Sequence, residues 1–437
     1  MSNKGRSPAR ESASPSSPAG PRGAINGDAD NAEDFSDIVG LSPTGRCATM
    51  CIFGCISIMG CRSSVVRRLS FYPPFPAGYS LEDGQLYIQD SIHGGPAGGV
   101  VRTAGSEQLK QRPKPQEGQE SIQQLLARNH LPERVKVCFI RKARRKQLAA
   151  VLLWSTAGVP SSCNSEEEKM QFALSNRPLV IFSHGNSTDI GFMFGLHYRM
   201  CFRCHVNVLA YDYSGYGWSD GRASEAALYS DIRAVFQYAV KQLSVPPQKI
   251  ILRRLRAELR LCGEEEGPAS RRTYSSFSDF IRAVVVCTPS PGLRLFISDI
   301  DKAPWFDAFQ NAEKLRKVHD VPMLLIHGQL DRQVPFTHAL KLEASCREAD
   351  AMRATRMHSN KSCCLPVTSM GYMKALSSEP LTPRNTELHH QRVQTWWVEN
   401  ADHNDIEHKA GDEYYVRISA FVDFCAKWHS QCDSTTR

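Results

Sequence analysis

From about Arg134 onward, short apolar runs rich in β-branched and aromatic residues alternate with longer amphipathic stretches, and that alternation leaves few ways for the chain to fold. The runs are Leu179–Ser183, Val206–Tyr211, Lys249–Leu252, Ala283–Cys287, Met323–Ile326 and Gln394–Val398. Each is too short for a helix and too uniformly apolar for a strand with one wet face, so each reads as a strand buried on both sides. Between them, Glu225–Leu243 places Ala226, Ala227, Leu228, Ile232, Val235, Phe236, Ala239 and Val240 at helical spacing, with Ser224 as its N-cap. A final helix over Glu413–Trp428 repeats the pattern with Tyr414, Ile418, Phe421, Val422 and Cys425. Strands alternating with helices predict an α/β domain: a mostly parallel sheet with helices on both faces.

With 437 residues, 41% of them hydrophobic, the chain is long enough for one such domain and substantial extra segments. Residues 1–45 are rich in Ser, Pro, Gly and charge and offer too little apolar surface to offset the entropy of ordering, so they are expected to be a disordered extension. Residues 46–76 hold a cysteine-rich segment, 77–133 read as a linker, and 134–430 read as the domain. The 15 cysteines are odd in number and irregularly spaced, and the polar N-terminus has no apolar signal core, so a reduced, cytosolic chain is expected. No apolar run reaches the roughly 18 residues a spanning helix needs. A net charge of +8 is mild at this length and argues against a nucleic-acid partner. The basic run from Arg141 to Lys146 lacks interleaved aromatics and reads as a solvated face between strands.

Hydrolysis of an ester, thioester or amide on such a sheet needs a nucleophile, a base, an acid that orients the base, and amide donors for the oxyanion. Ser183-His184-Gly185-Asn186 follows a strand, which makes the Asn186 amide an oxyanion candidate, with an ordinary glycine turn as the alternative. Ile326-His327-Gly328-Gln329-Leu330-Asp331 puts Asp331 on the loop at a strand's carboxyl end, where open α/β sheets carry functional groups. His403, in Glu399-Asn400-Ala401-Asp402-His403-Asn404-Asp405, occupies the next such loop. Asp331 before His403 follows the Ser…Asp…His order of the α/β-hydrolase fold, which casts His403 as general base and Asp331 as its orienter.

SHGNSTDIG, AYDYSGYGWSDGRASEAALYSDI, VPMLLIHGQLD and WWVENADHNDIE together resemble the α/β-hydrolase-domain protein depalmitoylases, the domain-containing 17 group. The likeness runs with gaps from about Arg177 to Trp428 and reaches the cysteine cluster and FYPP. It implies the α/β-hydrolase fold and hydrolysis of S-palmitoyl thioesters on membrane-associated proteins, with no metal or cofactor. It also implies that Asp331 and His403 are triad members and Asn186 an oxyanion contributor. The cysteine stretch resembles that family's acylated N-terminal segment. Cys47, Cys51 and Cys55 recur every fourth residue, and with Cys61 they stand among apolar side chains and Arg62, Arg67 and Arg68, which suits S-acylation at an anionic leaflet. A peripheral, lipid-anchored position on the cytosolic face of the plasma membrane or endosomes follows from that reading. The cluster has no paired CxxC spacing or nearby histidine to suggest zinc.

One element departs from the family. Where a G-x-S-x-G turn should follow Ile250-Ile251-Leu252, the chain continues RRLRAELRLCGEEEG, with Arg256 at the serine position and Arg254 and Glu258 at the glycines. Ser270, Ser275, Ser276, Ser278 and Cys262 lack small residues two positions away on both sides, so none substitutes for the strained turn that exposes a nucleophile. Family text resumes at Ala283, which bounds an anomalous block near 253–282; a second lies near 345–392. The blocks read as misassigned coding sequence or as true loss of the nucleophile. Three functions stay open: a depalmitoylating serine hydrolase, a catalytically dead α/β-hydrolase acting as an interaction module, and a lipid-ester hydrolase.

Overall fold

The computed structural model describes residues 71–82, 85–88, 120–128, 134–254, 284–287, 321–362 and 392–434, with a few isolated positions besides. Cys47, Cys51, Cys55 and Cys61, the N-terminal extension and the substitute serines considered above lie outside the described residues.

A small antiparallel sheet comprises β1 (Tyr79–Glu82), β2 (Gln85–Ile88) and β3 (Glu120–Ser121), followed by α1 (Ile122–Arg128). The main sheet contains β4 (Val135–Arg141), β5 (Gln147–Leu153), β6 (Leu179–Ser183), β7 (Asn207–Tyr211), β8 (Ile250–Arg254), β9 (Val284–Cys287), β10 (Met323–Gly328) and β11 (Val393–Val398). Its helices are α2 (Glu166–Asn176), α3 (Ile190–Cys204), α4 (Glu225–Lys241), α5 (Phe336–Ser362), α6 (Ile406–Ala410) and α7 (Asp412–Ser434). Across the sheet the order is β11-β10-β9-β8-β6-β7-β5-β4. β5 runs against both its neighbours, and every other pairing is parallel. This is the α/β-hydrolase fold.

Each strand's alternate residues feed two separate cores, which is why both faces had to be apolar. Ile181, Leu209, Leu252 and Leu325 pack with α2, α4 and the start of α5. Val180, Phe182, Val208, Ile251 and Ile326 pack with α3, α7 and the small sheet. Ser224 caps α4 through the Ala227 amide at 3.1 Å, and Ser165 and Glu168 form a reciprocal capping box on α2. Because β6, β8, β9, β10 and β11 are parallel, the residues after each of them emerge along one edge of the sheet. The strand order reverses between β6 and β8, the place where such sheets open a crevice.

Three expectations need correction. Residues 77–133 are not simply a linker, because Tyr79, Leu86, Ile88, Leu125 and Leu126 are buried against the main sheet's second core. Short strands separated by glycine-rich text hid this from a composition-based reading. The block near 345–392 is not an insertion throughout, because α5 continues to Ser362. Ala339, Leu342, Cys346 and Ala349 are buried at alternating three- and four-residue spacing, which holds the helix past the expected boundary. Arg392 closes the excursion with a buried guanidinium that donates to the Val321 carbonyl at 2.8 Å and pairs with Asp350 at 2.7 Å. Finally, β8 does not stop at Leu252, and sheet pairing carries it through Arg253 and Arg254. The Arg253 guanidinium is buried over the Phe182 ring at 4.1 Å and donates to the Tyr414 hydroxyl.

Candidate active site

After β10 the chain turns at once, with the Asp331 amide donating to the Gly328 carbonyl at 3.3 Å. The Asp331 carboxylate then folds onto the following loop, where Oδ1 accepts from the Gln333 and Val334 amides at 2.9 and 2.7 Å. Those two bonds fix its rotamer and aim Oδ2 at His403, whose Nδ1 lies 2.9 Å away. The Asp331 side chain is wholly buried and the His403 ring is 16% exposed. Since the carboxylate can only accept, Nδ1 carries the proton and Nε2 presents a lone pair at the sheet edge. That is the arrangement a general base needs. Asn400 makes the turn after β11 with φ of 59°, a left-handed conformation that asparagine tolerates better than most residues.

Gly328 lets the two loops meet. A Cβ there would stand 2.3 Å from the Ala401 oxygen, and the Leu330 amide donates to that same carbonyl at 3.0 Å. The glycine of the IHG motif is therefore a close-approach position between the Asp331 loop and the His403 loop.

Asn186 emerges from β6 along the same edge, but three strand positions away from β10, about 14 Å at ordinary strand spacing. Its side chain is held rather than free: Oδ1 accepts from the Tyr72 amide at 3.1 Å and the Tyr216 hydroxyl at 2.8 Å. The carboxyl ends of β8 and β9 lie between Asn186 and the Asp331–His403 pair, and residues 255–283 lie outside the described residues. Among the described residues no hydroxyl or thiol hydrogen-bonds to Nε2 of His403. The Ser183 hydroxyl is buried against Tyr211 at 2.9 Å, and the Ser214 hydroxyl is bonded to Asp231 at 2.9 Å. Burial pushes the Cys201 and Cys346 thiols up to about 12, so neither supplies a thiolate near neutrality. Among the described residues no group of three His, Cys, Asp or Glu side chains is placed to hold a metal ion, and no helix is long and apolar enough to cross a membrane.

The two His-Gly pairs share a structural device that sequence reasoning missed. His184 and His327 each donate Nδ1–H to the carbonyl of the following glycine at 2.7 Å. Burial, partly offset by that bond, pushes the His184 imidazole down to about 4, and burial lowers His327 as well. Both are therefore neutral struts under their loops, and His403 alone of the three turns its Nδ1 to a carboxylate. A strand ending in His-Gly twice in one chain was the legible signal. Also missed was a buried carboxylate pair behind the β6 loop. Asp189 caps α3 and accepts from the Gly78 amide at 2.7 Å, while Asp212 accepts from the Ile190 amide at 3.0 Å and from the Tyr79 hydroxyl. Burial raises both, Asp189 to about 6, so the cluster ties residues 78–79 to the edge as a hydrogen-bonded group with reduced charge.

No protein-family model matches the chain. α/β-Hydrolase domain-containing protein 17C from mouse is 31% identical over 250 residues, 57% of this chain and 61% of the mouse protein. The human 17C protein gives 31% over 250 residues and 59% of its length, so the match spans about three fifths of these relatives. α/β-Hydrolase domain-containing protein aho-3 of Caenorhabditis elegans is 27% identical over 373 residues, 85% of this chain and 81% of that protein. Among solved structures, the Pyrococcus furiosus esterase Pf2001 overlays 66% of this chain and 91% of its own at 13% identity and TM-score 0.41. A Vibrio vulnificus α/β hydrolase overlays 72% and 89% at 16% identity and TM-score 0.40.

Proposed function

From a chain that is a homologue of the α/β-hydrolase domain-containing 17 proteins, we propose a serine hydrolase that cleaves S-palmitoyl thioesters on membrane-associated proteins. The observation that carries this reading is the 2.9 Å contact between Asp331 Oδ2 and His403 Nδ1 at the carboxyl edge of the sheet. His403 Nε2 would take the proton from a nucleophilic hydroxyl as it attacks the thioester carbonyl and give it to the departing thiolate, and would then deprotonate the water that cleaves the acyl-enzyme and releases the fatty acid. Asp331 would hold the productive tautomer and stabilise the imidazolium that forms. The Asn186 amide would help hold the oxyanion, and S-acylation at Cys47, Cys51, Cys55 and Cys61 would keep the protein at the membrane face that carries its substrates.

A second reading, a non-catalytic module on the same fold, is favoured by the text after Leu252, where Arg253 and Arg254 extend the strand and no G-x-S-x-G follows. A fluorophosphonate probe and a palmitoyl-thioester substrate separate the two. Hydrolase function predicts labelling and turnover by the full chain, both abolished in His403→Ala. Absence of both, in protein whose fold is intact by circular dichroism, leaves the module. Faster turnover of lipid esters than of acyl-protein would move the substrate class to lipids.

A further inference from the structure

Asp402, which stands in the His403 motif but has no role in the triad reading, bridges the two loops that carry the Asp331–His403 pair. Its Oδ1 accepts from the Arg332 amide at 3.0 Å and from the His403 amide at 2.7 Å. One carboxylate oxygen thus joins the residue after Asp331 to the backbone of His403. Its Oδ2 meets Arg332 Nε and Nη2, both at 2.8 Å. The Asp402 amide in turn donates to Asp405 Oδ1 at 2.6 Å, which fixes the turn on the other side of the histidine. The amide bonds and Arg332 together hold the Asp402 carboxyl below the usual carboxylate range, although its partial burial opposes this.

We propose that Asp402 is a positioning residue that sets the separation of the acid and base loops through its Oδ1, with the Arg332 guanidinium a minor part of the device. The argument for that ranking is exposure. The Arg332 side chain is 88% exposed, where an ion pair is screened by solvent and offset by side-chain entropy, while the Asp402 side chain is 28% exposed and its Oδ1 lies on two amides of the site itself. Breaking the ion pair leaves both amide bonds in place, whereas removing the carboxylate takes away the oxygen that joins Arg332 to the His403 amide and leaves the loops held by the Leu330–Ala401 backbone bond and the Asp331–His403 contact. Asparagine at 402 retains an oxygen in the Oδ1 position and loses only the charge. The proposal rests on reading Asp331 and His403 as the acid and base, but the geometry it concerns exists whether or not the chain turns over a substrate.

The test reads the histidine directly, by NMR on full-length protein labelled at histidine nitrogen. In the wild type the His403 Nδ1 proton, held by Asp331, is expected to give a slowly exchanging downfield resonance. Asp402→Ala is expected to broaden or abolish it while the protein stays folded by circular dichroism. Asp402→Asn is expected to rescue it, and Arg332→Met to leave it in place. If Asp402→Ala retains the resonance and the His403 titration curve of the wild type, the positioning role is refuted. Loss in Arg332→Met equal to that in Asp402→Ala also refutes it, by moving the role to the ion pair. If Asp402→Ala proves too unstable, Asp402→Asn against Asp402→Ser reads the same question through acceptor reach. Lack of hydrolysis by the wild type, with this NMR pattern intact, would count against the hydrolase reading and leave the positioning role standing.

Discussion

Adding one methyl group at Gly328 should separate the acid from the base. Gly328 is the last residue of β10, in register with Val398 of β11. A Cβ built there lies 2.3 Å from the Ala401 oxygen, 2.7 Å from its carbon and 3.0 Å from the Asp402 oxygen. All three are backbone atoms, so no rotamer change relieves the contact. A relaxed carbon–oxygen contact needs roughly 3.3 Å, so the loop bearing His403 must retreat by about 1 Å. That loop is tethered to Asp331 by the 2.9 Å bond to Nδ1, and a shift of about 1 Å takes it beyond hydrogen-bonding distance. Overpacking of this kind costs about 1–3 kcal/mol of stability, and a 1 Å misplacement of a catalytic group costs roughly 100-fold in rate. Gly185→Ala is the matched control, since its Cβ would meet only the Thr188 methyl at 3.3 Å. Denaturant melts, the His403 Nδ1 resonance and palmitoyl-thioester turnover should be measured on both variants. A Gly328→Ala protein as stable as the control, with its Nδ1 proton unmoved, would show that the two loops do not approach as described.

Asp331→Asn should reverse the histidine's tautomer: an amide NH₂ facing Nδ1 makes that nitrogen an acceptor and moves the proton to Nε2. Turnover should fall by about 10⁴-fold, as for the equivalent change in a serine protease, and nitrogen shifts of His403 should report the exchange of roles. Buried neutral histidines should make the fold acid-labile. With its native pKa near 4 against 6.5 in the unfolded chain, His184 contributes stability that is complete above about 6.5 and lost as pH falls toward 4, about 3 kcal/mol in all. His197 and His327 are shifted in the same direction and add to this. Asp189 and Asp212, raised by burial, act oppositely and lose stability as pH rises through their native range. Melts of the wild type and of His184→Gln from pH 7 to 4 should therefore differ, with the variant losing less stability on acidification, and an equal pH dependence in the two would refute the neutral-strut assignment of His184. Asp231→Ala should cost about 3–5 kcal/mol, because it strands the buried Lys142 ammonium that pairs with it. Replacing both residues, as Lys142→Met with Asp231→Leu, should recover much of that loss in a denaturant melt.

How much of this was legible beforehand depended on range. The two-sided apolar runs announced β6, β7 and β10, because burial on both faces of a sheet imposes a composition that each strand carries by itself. Asp331 and His403 were readable for the same reason: each follows such a run directly, and the order of the motifs along the chain is a one-dimensional property. The small sheet of β1 to β3 was not readable, since strands of two to four residues reveal their burial only against a surface that the sequence does not display. The continuation of β8 through two arginines was likewise decided by pairing with β6 and β9, whose hydrogen bonds override a local preference for solvent.

The sequence by itself determined the class of fold, the edge of the sheet at which Asp331 and His403 emerge, and the absence of a recognisable G-x-S-x-G after Leu252, since all three follow from residue type and order. Only the tertiary structure decided which histidine hydrogen-bonds a carboxylate through Nδ1. His184 and His327 are each followed by a glycine and His403 by Asn404, but residue order alone does not show which groups surround each ring. His184 and His327 give their Nδ1 proton to the carbonyl of the very next residue, whereas His403 meets the Asp331 carboxylate of a loop distant in sequence, across a gap that Gly328 leaves open for it.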